Sequence, residues 1–166
     1  MPSIDVKGVR LDYVWHGPSP EESPTIVFLH EGLGCVEMWR DFPERVVEKT
    51  GFGALVYSRT GYGKSDPISL PRPVTFMHYE ALEVLPAIVE EFAIADLILF
   101  GHSDGGSIAL IYAGSDQPRP AKALVLEAPH VFVEPISIAS IEKARDEFEK
   151  GSLKSGLQRY HGDNLE

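Results

Sequence analysis

The sequence predicts an α/β architecture, a mostly parallel sheet with helices on both faces. Three observations carry that reading. Short continuous apolar runs recur at Thr25-Ile26-Val27-Phe28-Leu29, Ala54-Leu55-Val56-Tyr57-Ser58, Leu97-Ile98-Leu99-Phe100 and residues 121–127, and strands that do not alternate are buried on both faces, as in a parallel sheet. Segments of helical periodicity lie between them, and alternation of strand and helix supplies the crossovers such a sheet needs. At 166 residues and 43% hydrophobic content, the chain can build one core and is too short for two ordinary domains.

The elements follow in order. Residues 4–6 and 9–16 alternate around Lys7-Gly8, an antiparallel hairpin with Leu11, Tyr13 and Trp15 on one face. A polar loop over 17–24 leads to the strand at 25–29, which ends at His30-Glu31-Gly32-Leu33-Gly34. Asp41 with Glu44 has the form of a capping box, Pro43 sits in the first turn, Phe42, Val46 and Val47 face inward, and Gly51 stops the helix. After the strand at 54–58 comes the Gly-rich loop Arg59-Thr60-Gly61-Tyr62-Gly63-Lys64-Ser65-Asp66. Leu82, Leu85, Ile88, Val89 and Phe92 then space as one helix face. Beyond Pro129, Ile138, Ile141, Ala144 and Phe148 share a face of a charged helix, followed by Gly151 and then Leu153, Leu157 and Tyr160. No strand signal returns.

The run from Leu97 breaks into Gly101-His102-Ser103-Asp104-Gly105 and then into the helical stretch from Ser107 to Ala113. A sharp strand-to-helix turn forces the central serine into strained backbone, so its flanking positions must be nearly free of side chain. Ser103 is thereby presented as a nucleophile, with unpaired N–H groups of the next helix aimed above its hydroxyl.

Composition narrows the partners. A formal net charge of −10 argues against nucleic acid or an anionic membrane surface and favours a small uncharged or cationic substrate. Cys35 is the single cysteine, so no intrachain disulfide forms, and the start of the chain lacks a signal-type apolar segment. A soluble, cytoplasmic protein is expected. Gly63-Lys64-Ser65 matches the end of a phosphate-binding loop, but Ser58 stands where its first glycine belongs and Asp66-Pro67 where its helix should run. No cofactor or metal motif is present.

Taken together and in this order, the loops at 30–34, 59–65 and 101–105 resemble those of the α/β-hydrolase fold family, in its serine hydrolase branch, over nearly the whole chain. The resemblance implies a catalytic set of Ser103 with an oxyanion hole made by the backbone N–H groups of Gly32 and Asp104. It also implies hydrolysis of a carboxylic ester or related acyl substrate through an acyl-Ser103 intermediate. Amide and carbon–carbon bond hydrolysis remain open, as does a non-catalytic small-molecule-binding module. Ser rather than Asp at the nucleophile position disfavours the epoxide-hydrolase and dehalogenase branches. Glu31 stands where the family often has Gly and is expected to face a donor or solvent.

By the same resemblance, residues 1–130 are a hydrolase core lacking its last strands and residues 131–166 the start of a helical cap. The family carries its triad acid and histidine beyond that point, so the base for Ser103 is expected to be missing and the chain inactive alone. Glu127 and His130 are the in-chain substitutes, read as a structural acid and a loop histidine. His161 is expected in solvent, His102 in local contacts, His30 in positioning its loop, and Cys35 as a small apolar residue beside the oxyanion loop. The sixth strand would lie at an open sheet edge, and a homo-oligomer covering that edge or the cap helices is expected.

Overall fold

Both Lys7 and Gly8 have positive φ, 54° and 80°, the geometry of the two-residue turn whose twist suits a hairpin. That turn joins β1 (Ser3–Val6) to β2 (Val9–His16), and the hairpin opens the sheet. The computed structural model describes residues 2–165. β3 (Thr25–Leu29), β4 (Gly53–Tyr57), β5 (Leu97–His102) and β6 (Ala123–Glu127) follow. The order across the sheet is β1-β2-β4-β3-β5-β6, antiparallel as far as β4 and parallel from there on. The expected mostly parallel sheet is what forms.

Its two faces divide residue by residue. Val27 and Leu29 of β3, Leu55 and Tyr57 of β4, and Leu97 and Leu99 of β5 pack with Leu85, Ile88, Ile108 and Tyr112 on one side. Ile26 and Phe28 alternate to the other side, with Ala54, Val56, Trp39, Val46 and Val47. The helices on those faces are α1 (Phe42–Thr50), α2 (Phe76–Tyr79), a π-helical turn (Glu80–Val84), α3 (Leu85–Glu91) and α4 (Asp104–Ala113). α5 (Pro135–Lys150) and α6 (Leu153–His161) follow, with a 3₁₀ turn over Gly162–Leu165 after them. No helix among the described residues is long and apolar enough to cross a membrane.

Three local expectations give way. The capping box does not form: Asp41 already has helical backbone, φ −85° and ψ −2°, and makes no capping bond, whereas a capping side chain needs extended backbone to reach the free N–H groups. Leu82 is 38% exposed while Glu80, Ala81 and Val84 are buried, because the π turn widens the helix and rotates the inner face. The stripe of α5 is present but unpacked, with Ile138 45% and Ile141 61% exposed.

Close backbone approach at the β5–α4 turn is what the glycines permit. A Cβ on Gly101 would stand 2.4 Å from the carbonyl oxygen of Gly105, and one on Gly105 would stand 1.9 Å from the carbonyl oxygen of Leu29. Neither neighbour is a flexible side chain, so nothing can give way cheaply. We expect Gly105→Ala to cost about 3 kcal/mol of stability in urea unfolding. Gly8→Ala, whose Cβ would meet nothing within 4 Å, should cost about 1 kcal/mol through left-handed backbone alone.

Candidate active site

Ser103 stands at φ 52° and ψ −113°, a conformation non-glycine residues hold only when their surroundings impose it. Here the surroundings are β6 and α4. The Ser103 N–H donates to the carbonyl of Glu127 at 2.8 Å, and the Ser103 carbonyl accepts from the Ser107 N–H at 3.1 Å. α4 begins at the next residue, Asp104.

The Ser103 hydroxyl has a partner, 2.9 Å from Oγ to Nε2 of His130. A histidine of this chain thus stands within hydrogen-bond reach of Ser103, where the sequence led to the expectation that the base would be missing and His130 a loop residue. The chain delivers it in four steps. β6 ends at Glu127, Ala128 turns sharply at φ 47°, and Pro129 passes over Gly106, where a Cβ would crowd it at 3.0 Å. The Ser107 hydroxyl then accepts from the His130 N–H at 3.0 Å and donates to the His130 carbonyl at 3.1 Å. Ser107 lies one helical turn beyond Ser103, so one helix fixes both partners. Glu127 enters through its carbonyl, and among the described residues no carboxylate is bonded to His130.

Gly32 and Asp104 come together from separate loops. A Cβ on Gly32 would lie 3.2 Å from Oδ2 of Asp104, and among the described residues neither backbone N–H has an acceptor. Glu31 sits over Gly34, with Oε2 3.6 Å from Nδ1 of His102.

Beneath these loops the side chains are buried and paired. His30 donates from Nδ1 to the Glu31 carbonyl at 2.7 Å and accepts the Arg59 N–H at Nε2 at 3.0 Å. Burial, helped by the Arg59 charge, holds its pKa well below the usual histidine range. His161, expected in solvent, is instead 3% exposed. It accepts the Gly63 N–H at Nδ1 at 3.0 Å and donates from Nε2 to the Leu33 carbonyl at 2.9 Å, pinning the end of α6 to both loops. Burial lowers its pKa too. Cys35 is buried, and burial pushes its thiol up, away from nucleophile chemistry.

The Gly63-Lys64-Ser65 loop carries its own anion. Oδ1 of buried Asp12 accepts the Lys64 N–H at 2.8 Å and the Ser65 hydroxyl at 3.0 Å. Donors that would cradle a phosphate are thus spent inside the protein.

Sequence reasoning does not single out Ser107, and it names Arg59 only as the opening residue of the loop at 59–65 that carries the family resemblance, with no contact assigned to it. A serine one turn after Ser103 carries no signal by itself. Only the fold shows what either residue touches.

A family model described as alpha/beta hydrolase fold matches residues 24–161. A proline iminopeptidase of Lactobacillus delbrueckii subsp. lactis is 30% identical over 115 residues, covering 68% of this chain and 38% of that protein. A protein named as a putative esterase/lipase from Mycoplasma genitalium is 33% identical over 122 residues, 72% of this chain and 42% of its own length. The chain thus spans about two-fifths of the length of these relatives. Among solved structures, a carboxylesterase of Nitrososphaera gargenis superposes with a TM-score of 0.72 at 21% identity, over 90% of this chain and 54% of that one. Est816, titled an N-acyl homoserine lactone degrading enzyme, gives 0.67 at 17% identity, over 99% and 69%.

His30 and His161 set an acid limit on this site. Each is held neutral in the fold, while a histidine of the unfolded chain titrates near 6.5, so below that pH the unfolded state binds more protons. Their contribution to stability is intact above about 6.5 and is lost as the pH falls toward the depressed folded values. Urea midpoints at pH 7.5, 6 and 5 should fall steadily, and His161→Gln, which can still accept and donate, should show a shallower fall than the wild type.

Proposed function

The chain belongs to the α/β-hydrolase fold family, and we propose that it is a serine hydrolase acting on a carboxylic ester or related acyl substrate. One observation carries the reading: a strained serine at a strand-to-helix turn with a histidine Nε2 2.9 Å from its hydroxyl. A serine hydroxyl is a weak nucleophile until a base takes its proton. In the proposed reaction Ser103 Oγ attacks the acyl carbonyl and its proton passes to Nε2 of His130. The carbonyl oxygen, now negative, is met by the N–H groups of Gly32 and Asp104, fixed donors aimed where charge develops. Collapse of this intermediate expels the alcohol, which takes the proton from His130, and leaves an acyl-Ser103 ester. Water, deprotonated by His130, then releases the acid and restores the hydroxyl.

Esterase and peptidase names among the relatives support a hydrolase and leave the leaving group open between alcohol and amine. The dyad favours the ester. An amine must be protonated to leave, and His130 has no bonded carboxylate among the described residues to stabilise its imidazolium. In serine proteases, replacing that carboxylate lowers kcat about 10⁴-fold, so acylation followed by slow turnover is expected.

A fluorophosphonate should add once, at Ser103, and mass spectrometry should find no adduct on Ser103→Ala. Replacing His130 by Ala should slow hydrolysis of a short-chain aryl ester by about 10² to 10⁴. Labelling that persists without Ser103, or turnover indifferent to His130, removes the assignment.

We propose in addition that a second copy covers the outer edge of β6. This five-residue strand holds no proline, pairs on one side with β5, and leaves Val125 47% exposed, which is the kind of edge that recruits another strand. Light scattering at micromolar concentration should give twice the monomer mass. A lysine in place of Val125 should return it to one, and a monodisperse wild-type monomer would refute the pairing.

A further inference from the structure

Arg59 is 1% exposed and follows β4 at the mouth of the Gly-rich loop. An arginine taken wholly out of water must be repaid by hydrogen bonds and an opposite charge. What supplies them here is the site itself. Nη1 donates to the His30 carbonyl at 2.5 Å, and Nη2 donates to the Glu31 carbonyl at 3.1 Å. The Arg59 backbone N–H also donates to Nε2 of His30 at 3.0 Å. Three bonds therefore hold the two residues that precede Gly32. Nη2 also lies 3.7 Å from Oδ2 of Asp104, the same oxygen that borders Gly32.

We propose that Arg59 is a positioning residue that sets both donors of the oxyanion hole. On one side its planar fork fixes the carbonyls of residues 30 and 31, which determines where the Gly32 N–H points. On the other it draws the Asp104 side chain inward at the first residue of α4. The same guanidinium offsets a carboxylate charge that would otherwise oppose a developing oxyanion beside Gly32. Lysine cannot replace it, because a single ammonium cannot hold two carbonyls and a carboxylate in one plane.

The inference rests on the serine-hydrolase reading for its kinetic consequence and on structure alone for its positioning claim, so the test has two arms. Both use the full chain carrying Arg59→Lys. In the first, amide hydrogen exchange at Gly34, whose N–H donates to the Glu31 carbonyl that Arg59 holds, should quicken about tenfold while the amides of β3 and β4 keep their wild-type rates. In the second, kcat for an aryl ester should fall about 100-fold with KM within twofold, since an oxyanion exists only in the transition state.

Wild-type exchange in the loop overturns the proposal. So does acceleration spread evenly over β3 and β4, which marks Arg59 as general support for the fold. Should Ser103 take no fluorophosphonate in the wild type, the hydrolase reading fails by itself, and the exchange arm still decides what Arg59 holds.

Discussion

Everything at this site depends on how closely α4 can approach the sheet. The carbonyl oxygen of Leu29 occupies the space a side chain on Gly105 would need, and the Gly105 carbonyl does the same to Gly101. With no Cβ at either position, the chain reverses from β5 into α4 within a single residue. That residue is Ser103, left at φ 52°. Strain of this kind costs about 1–3 kcal/mol and survives only where packing over-determines it. Here Ser103 is bonded through its N–H to β6 and through its carbonyl to α4. The strain is local, and the sheet core supports it.

A second constraint follows from the first. Because α4 lies so close, its first and second turns are within reach of whatever follows β6. Gly106 admits Pro129, and Ser107 takes both backbone groups of His130 in a reciprocal pair of bonds. Ser103 and His130 are therefore referenced to one short helix rather than to two independent loops. The opposite wall is built differently. His30, Arg59, His161 and Asp12 are buried polar groups whose partners are mostly backbone atoms of the loops at 30–34 and 58–65. One wall is held by close packing without side chains, the other by a buried polar network in which only the Nε of Arg59, among the atoms of these four side chains in the described residues, is left without a hydrogen-bond partner.

That contrast separates what is legible in the sequence from what is not. Close packing leaves a signature, since glycines at fixed offsets around a serine, placed directly after an apolar run, seldom arise unless a backbone must pass there. The strands and the elbow are accordingly readable from residue order, whereas the pairing of Gly32 with Asp104 comes only from the resemblance to a family. Polar networks leave almost no signature. His161 reads as solvated because the sequence gives a helix end without showing that it folds back onto Gly63 and Leu33. His130 reads as a loop residue because its role depends on a left-handed turn at Ala128 and a serine clamp 23 residues away. The inner face from Leu82 to Phe92 is mis-phased for a third reason: a π turn breaks the 3.6-residue period on which such readings rely. Buried Glu80, its carboxyl pKa raised by burial and without a bonded partner at Oε2, sits in that turn.

The place of Ser103 and His130 at the sheet margin ties their contact to local stability. β6 is the outermost strand and pairs only with β5. Yet its last residue holds the Ser103 N–H, and its continuation carries His130. Opening of an edge strand costs far less than global unfolding, and when β6 peels away the serine loses a backbone bond and its histidine partner together. Central strands β3 and β4 can stay intact throughout such an event, because their partners lie on both sides. Loss of the contact between Ser103 and His130 should thus precede loss of fold as conditions become harsher, and anything that seats a strand against the free edge of β6 would favour the arrangement in which they meet.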